Sequence, residues 1–135
     1  MEARFLRDTD ICICVRQKRS ASLRQRFHAL QPGEVVVSVI TYGELLFGAI
    51  TRGQLAAERE KWRELVRLLP VLPLPLETSE KYGTIRAELE TSGKVIGNND
   101  LWIAAHAMAA QLILVTNNEK EFRRVRGLKV QNWAK

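Results

Sequence analysis

The sequence predicts an α/β fold: a three-layer α/β/α domain around a central, mostly parallel sheet of four to five strands. Two observations carry this expectation. Short runs rich in β-branched and apolar residues recur along the chain, and segments with helical spacing of apolar residues lie between them. Strands that alternate with helices pair in parallel and are covered on both faces. A third observation sets the scale. A chain of 135 residues, 46% hydrophobic and 27% charged, reads as one globular domain spanning 1–135. At this length roughly 68–70% of the unfolded surface can be buried, so a core forms without disulfide or metal staples.

The elements follow in order. Residues 4–7 read as a first strand, and residues 11–18 and 20–30 as helices stopped by Gln31-Pro32-Gly33. Val35-Val36-Val37-Ser38 is a buried strand, and residues 39–50 form the helix after it. A helix over 54–69 carries Trp62, Leu65, Val66 and Leu69 on one stripe. Val71 to Pro75 is extended, and its prolines confine it to a sheet edge or a strand end. Residues 77–91 are helical up to Ser92-Gly93, and 99–110 are helical again. Leu112–Val115, a helix near 118–124 and a strand near 128–131 complete the chain. In such folds sites lie beyond the carboxyl ends of the strands, where Asp8, Thr116 and the residues after Ser38 fall.

The chain carries a net charge of +6 and a pI near 9.7. That balance favours a polyanionic partner. Arg16, Lys18, Arg19, Arg24 and Arg26 crowd an early segment; Lys120, Arg123, Arg124, Arg126 and Lys129 crowd a late one. Most of these individually decorate solvated helix faces, but as clusters they suit phosphate contact, and an acidic protein partner equally well. Cys12 and Cys14 have no second pair and, with only His28 and His106 to help, do not assemble a zinc site. They read as small buried hydrophobes in a reducing compartment. No signal peptide and no apolar run of about 20 residues is visible, so the expected location is cytoplasmic, with no membrane contact. No glycine-rich phosphate loop, nucleophile elbow or HExxH motif occurs.

Only three of the fifteen acidic residues are aspartates, and their placement is informative. Asp8 and Asp10 end the first strand run, and Asp100 opens an apolar helix pattern with Ile103, Ala104 and Ala107 at +3, +4 and +7. A helix cap or first-turn acid is the ordinary use of such residues, worth about 1 kcal/mol. Asp10 adjoins Ile11-Cys12-Ile13 and is the better capper of the two early acids. Glu58, Glu60, Glu64, Glu88 and Glu90 stand among Arg and Lys at helical spacing and read as solvated ion-pairing faces. Glu44 differs: Ile40, Thr41, Phe47 and Gly48 surround it at helical spacing, so its carboxylate lies along an apolar face and needs a cation, either a buried arginine or a metal. After the strand ending at Val115, Asn118 and Glu121 share a helical face toward the same end, with Glu119 turned to solvent. Acids converging from strand ends repel one another unless a divalent cation joins them, and oxygen-only ligands suit Mg²⁺ or Mn²⁺. A small acidic, metal-binding hole in a basic protein is the charge layout of an enzyme that cuts nucleic acid. His28 and His106 carry no catalytic signature and read as structural.

Four segments then form a recognisable set: Asp8-Thr9-Asp10-Ile11-Cys12-Ile13, Ile40-Thr41-Tyr42-Gly43-Glu44-Leu45, Gly93 through Ala104, and Thr116-Asn117-Asn118 with Glu121-Phe122, followed by Gln131-Asn132-Trp133. On these the chain resembles, over its whole length, the PIN-domain ribonuclease toxins of the VapC type. The resemblance implies that Asp8, Glu44 and Asp100 are the core metal-binding acids, that Glu121 is the fourth, and that Thr9, Thr116 and Asn118 support them. It implies Mg²⁺- or Mn²⁺-dependent hydrolysis of RNA, with the anticodon loop of initiator tRNA as target, a homodimer, and a VapB antitoxin whose tail covers the site. Two residues depart from the pattern. Arg7 stands where an apolar residue is usual, and Asp10 where asparagine is usual. Strand alternation puts Arg7 opposite Asp8, open to a dimer or antitoxin contact. Two other readings use the same residues. A PIN-like scaffold disabled by Arg7 and Asp10 would bind RNA or antitoxin without cutting, and Asp8-Thr9-Asp10 after a strand would also suit a haloacid dehalogenase-type phosphohydrolase.

Overall fold

The computed structural model describes residues 2–8, 21, 25–26 and 29–133. Five strands form one sheet: β1 (Phe5–Arg7), β2 (Val35–Ser38), β3 (Val71–Leu72), β4 (Ile113–Val115) and β5 (Val130–Gln131). Their order is β3-β2-β1-β4-β5 and every pairing is parallel. β1 is central, with Leu6 level with Val36 on one side and with Leu114 on the other. The proline-bounded β3 takes an edge, where a missing N–H costs no ladder bond.

Side chains alternate across this sheet, and each face has its own core. Leu6, Val36 and Leu114 pack with Ile85, Leu89, Leu101 and Ile103. Those partners come from α3 (Thr78–Ser92) and α4 (Asn98–Ala109). Phe5, Val35, Val37 and Val115 pack on the opposite face with Leu45, Trp62 and Trp133. Leu45 belongs to α1 (Val39–Thr51) and Trp62 to α2 (Leu55–Leu65). A short α5 (Glu119–Phe122) follows β4 and buries Phe122 in the first core. Helix, sheet and helix therefore make the three layers expected from the alternating pattern.

Several sequence expectations shift. The helix read as 54–69 ends at Leu65, leaving Val66 45% exposed while Leu69 enters the core separately. The last helix is a single turn rather than seven residues. Glu58 is not solvated: it is buried, accepts from Trp62 Nε1 at 2.8 Å and pairs with Lys61 at 2.9 Å. Amphipathic spacing places it beside Trp62, and the indole N–H requires an acceptor once buried. Arg7 is buried as well, on the face that holds Val37 and Val115, so it offers no surface for a dimer or antitoxin contact. The helix read at 11–18 lies outside the described residues, as do Cys12, Cys14 and His28, and of the helix read at 20–30 only residues 21, 25, 26, 29 and 30 are described. Among the described residues no helix is long and apolar enough to cross a membrane.

Candidate active site

The site forms at the carboxyl ends of β1, β2 and β4. Asp8 follows β1 and points to the face that carries α4, because alternation sets it with Leu6 rather than with Arg7. It is 3% exposed. Thr116, the residue after β4, is fully buried and donates from Oγ1 to Asp8 Oδ2 at 2.5 Å. The same Oγ1 accepts the Asn118 backbone N–H at 2.9 Å. One threonine thus fixes the Asp8 carboxylate and the turn that leads into α5.

Asn118 stands at the head of α5 but does not cap it through its side chain. Its Nδ2 instead donates to Glu121 Oε2 at 2.8 Å. The other Glu121 oxygen accepts the Gly97 backbone N–H at 3.2 Å. Gly97 is the cap residue of α4, so this bond ties Glu121 to the start of that helix. Asn99, in the first turn of α4, donates from Nδ2 to Glu44 Oε2 at 3.3 Å. Asp100 stands in the same turn. Bonds from Gly97 and Asn99, both just ahead of Asp100 in the chain, therefore bring Glu121 and Glu44 toward it.

The electrostatics report the same convergence. Burial raises the Asp100 carboxyl to about 7, aided by its hydrogen bond and charge interaction with Glu121 and by the charges of Asp8 and Glu44. Glu121 goes the other way. Partial burial opposes its ionisation, but the Asn118 amide, the Asp100 carboxyl, the Gly97 N–H and the Arg124 charge outweigh it. The pair shares its ionisation unequally, with the proton on Asp100. Yet among the described residues no three acid, histidine or cysteine side chains close into a ready-made metal cage. Asp100 feels the charges of Asp8, Glu44 and Glu121 and hydrogen-bonds Glu121. Their donor set is oxygen-only, and the raised Asp100 carboxyl marks a place where a cation would serve. The residues fit a hard divalent ion.

Asp100 stands in the first turn of α4, as its helical pattern predicts. Other expectations need correction. Glu44 lies at the rim of its helix rather than on an apolar face: Thr41 is buried, but Phe47 is 69% exposed. Glu119 is partly buried and pairs with Arg123 at 3.2 Å instead of facing free solvent. Of the basic candidates, Lys120, Arg123 and Arg124 are exposed, and Arg124 Nη1 donates to the Val95 carbonyl at 2.9 Å. Thr9, Asp10, Arg16, Lys18 and Arg19 lie outside the described residues. Asn99 and the Gly97 N–H were missed as site groups; the only signal was their adjacency to Asp100. His106 is buried with Nδ1 2.8 Å from Ser38 Oγ, and burial lowers its pKa, so it serves the core as a neutral ring.

This fold and its acid cluster define a class, and comparison with known proteins agrees: the PIN domain family matches residues 6–128. The chain belongs to the PIN-domain family, and within it to the VapC ribonucleases. It is 37% identical to a tRNA(fMet)-specific endonuclease VapC of Shigella flexneri, over 97% of this chain and 98% of that one. A ribonuclease VapC2 of Haemophilus influenzae shares the same identity and coverage. Among solved structures, VapBC-1 from nontypeable Haemophilus influenzae superposes with a TM-score of 0.89 at 34% identity, covering 100% of both chains. DNA-bound VapBC from Salmonella typhimurium gives 0.87 at 31% identity, covering 97% and 98%. Family membership sets aside the phosphohydrolase reading of Asp8-Thr9-Asp10.

Proposed function

We propose that this chain is a divalent-metal-dependent endoribonuclease that acts on tRNA, the initiator tRNA anticodon loop in particular. It is the toxin of a cytoplasmic toxin–antitoxin pair, works as a homodimer and is held inactive by a VapB-type protein. The observation that carries the reading is the hydrogen-bonded convergence on the start of α4: Gly97 and Asn99 draw Glu121 and Glu44 to Asp100. The relatives' names support the substrate and the partner.

In this reading Asp8, Glu44 and Asp100 hold the cation, with Glu121 as fourth acid. Mg²⁺ or Mn²⁺ at such a site supplies charge neutralisation at the scissile phosphate and activation of water. The chain's own residues prepare for it. Thr116 holds Asp8 in one rotamer, Asn118 holds Glu121, and Asn99 steadies Glu44. With its carboxyl raised to about 7, Asp100 is held partly protonated near neutral pH, and a bound cation would favour its ionised form. Lys120, Arg123 and Arg124, exposed on and just after α5, would contact RNA phosphates in this reading, with Arg16, Lys18 and Arg19 as further candidates.

Sequencing RNA ends after brief induction in cells tests this. The expected result is new ends at one position in one tRNA, absent with Asp100→Asn. Unchanged RNA ends, or the same ends from the variant, would contradict it. The departures at Arg7 and Asp10 give one second reading, a scaffold that grips RNA without cutting. Calorimetry separates the two, since that scaffold would bind RNA but no divalent cation.

A further inference from the structure

Residues 94–97 join α3 to α4 and belong to no helix or strand. Packing does little to hold them. Val95 is 59% exposed, Ile96 is only partly buried, and a cavity of about 240 Å³ lies between this loop and the C-terminal half of α3. Yet the loop leads directly to an acid. The Gly97 carbonyl accepts the Leu101 N–H at 2.9 Å as α4 begins, and Asp100 stands inside that turn. A Cβ on Gly97 would lie 3.7 Å from Asp100 Oδ2, so the carboxylate stands over this residue.

Two side chains grip this loop. Glu121 accepts the Gly97 N–H at 3.2 Å, and Arg124 donates from Nη1 to the Val95 carbonyl at 2.9 Å. Both come from one turn. The Arg124 N–H donates to the Glu121 carbonyl at 3.1 Å, so helical winding continues past α5 and sets the two residues on one side. The bonds close a ring through Val95, Gly97, Glu121 and Arg124. Glu121 also feels the Arg124 charge. Arg124 is the one member of the ring that is neither a main-chain group nor one of the four acids.

We infer that Arg124 is a positioning residue of the site: by holding the Val95 carbonyl it fixes the loop that sets Asp100 and Glu121 beside each other. The inference rests on the reading of these acids as a divalent-cation site. It gives the guanidinium a task beyond contact with RNA phosphates, the use that exposure alone suggests. The two uses predict opposite effects on a cation. A positive charge beside acids repels a divalent ion, so removing it tightens binding if charge is all that Arg124 supplies. Loss of a group that orients metal ligands weakens binding, by about 10–100-fold.

The test compares the full chain with Arg124→Met and Arg123→Met. Arg123 is the neighbouring cation, with its guanidinium on Glu119 rather than on the loop. Nuclear magnetic resonance follows amide exchange at Gly97 without metal, and isothermal titration measures Mn²⁺ binding. In Arg124→Met the Gly97 N–H should exchange about tenfold faster while the buried Leu6 amide of β1 keeps its protection. Mn²⁺ should bind about 10–100-fold more weakly. Arg123→Met should leave Gly97 exchange as in the parent and bind Mn²⁺ no more weakly. Arg124→Gln, too short to reach Val95, should repeat the result, and decides alone if Arg124→Met unfolds. Unchanged Gly97 exchange, faster exchange at Leu6 as well, or Mn²⁺ bound as tightly as by the parent or more so would overturn the positioning role. Neither measurement needs RNA to be cut. A parent that binds no Mn²⁺ would remove the metal reading and this role with it, whereas equal binding by parent and Arg124→Met removes only the role of Arg124.

Discussion

Replacing Asp100 with asparagine should make the metal-free protein more stable at neutral pH while removing its cleavage activity. The folded state raises this carboxyl from 3.8 to about 7. The folded protein therefore holds a proton that the unfolded chain releases. Stability is fully present below about pH 4, falls as pH rises toward 7, and is level above that. A shift of this size corresponds to roughly 4 kcal/mol. Asp100 is only partly buried, and water screens its neighbours, which leaves about 1–2 kcal/mol. Asparagine keeps the shape and cannot ionise, so the variant escapes the loss. Its Tm at pH 8 should exceed that of the parent by roughly 3–8 °C, and the two should converge near pH 4. Glu121 does not mask the trend: its pKa is lowered, so its contribution is lost only below the ordinary glutamate range. The assay is differential scanning calorimetry from pH 4 to 8 in a chelating buffer. A variant that is less stable at pH 8, or a difference that ignores pH, would refute the picture of crowded acids.

Further outcomes follow from the hydrogen bonds. Thr116→Val should cost about 1–3 kcal/mol in chemical denaturation, because it strips the buried donor from Asp8 and the acceptor from the Asn118 N–H. Asn118→Ala frees Glu121 and should lower the apparent metal affinity, read by isothermal titration, by about 10–100-fold. Glu58→Ala should destabilise by about 1–3 kcal/mol, since Trp62 Nε1 loses its buried acceptor, yet leave kcat unchanged because Glu58 lies in α2, outside the acid cluster. Arg123→Ala with Lys120→Ala should weaken RNA binding for every sequence alike and flatten its salt dependence, measured by anisotropy between low and high salt.

The alternating apolar runs made the layers and the parallel sheet legible, because a buried parallel strand must be apolar on both faces and Val35 to Val37 can be little else. The proline-flanked β3 was legible as an edge for the same kind of reason. What periodicity could not show was which helical acid meets which partner. Glu58 and Glu60 stand in the same charged stretch, but only Glu58 falls under the Trp62 indole. Alternation set Arg7 opposite Asp8 but did not tell whether that face was covered, and Arg7 is buried there. At the site, the candidate acids were readable from residue type and position, whereas the bonds from Asn99 and Gly97 that assemble them depend on how α4 docks against α1 and α5. No local pattern encodes that docking.

The central claim, that Asp8, Glu44, Asp100 and Glu121 form one divalent-metal site for cutting RNA, is tested most directly by RNA cleavage with purified protein. The parent and Asp100→Asn would be compared with Mg²⁺ or Mn²⁺ and with a chelator. Cleavage that requires the cation and disappears in the variant is the predicted result. Cleavage that survives the chelator, or proceeds equally in both proteins, would contradict it.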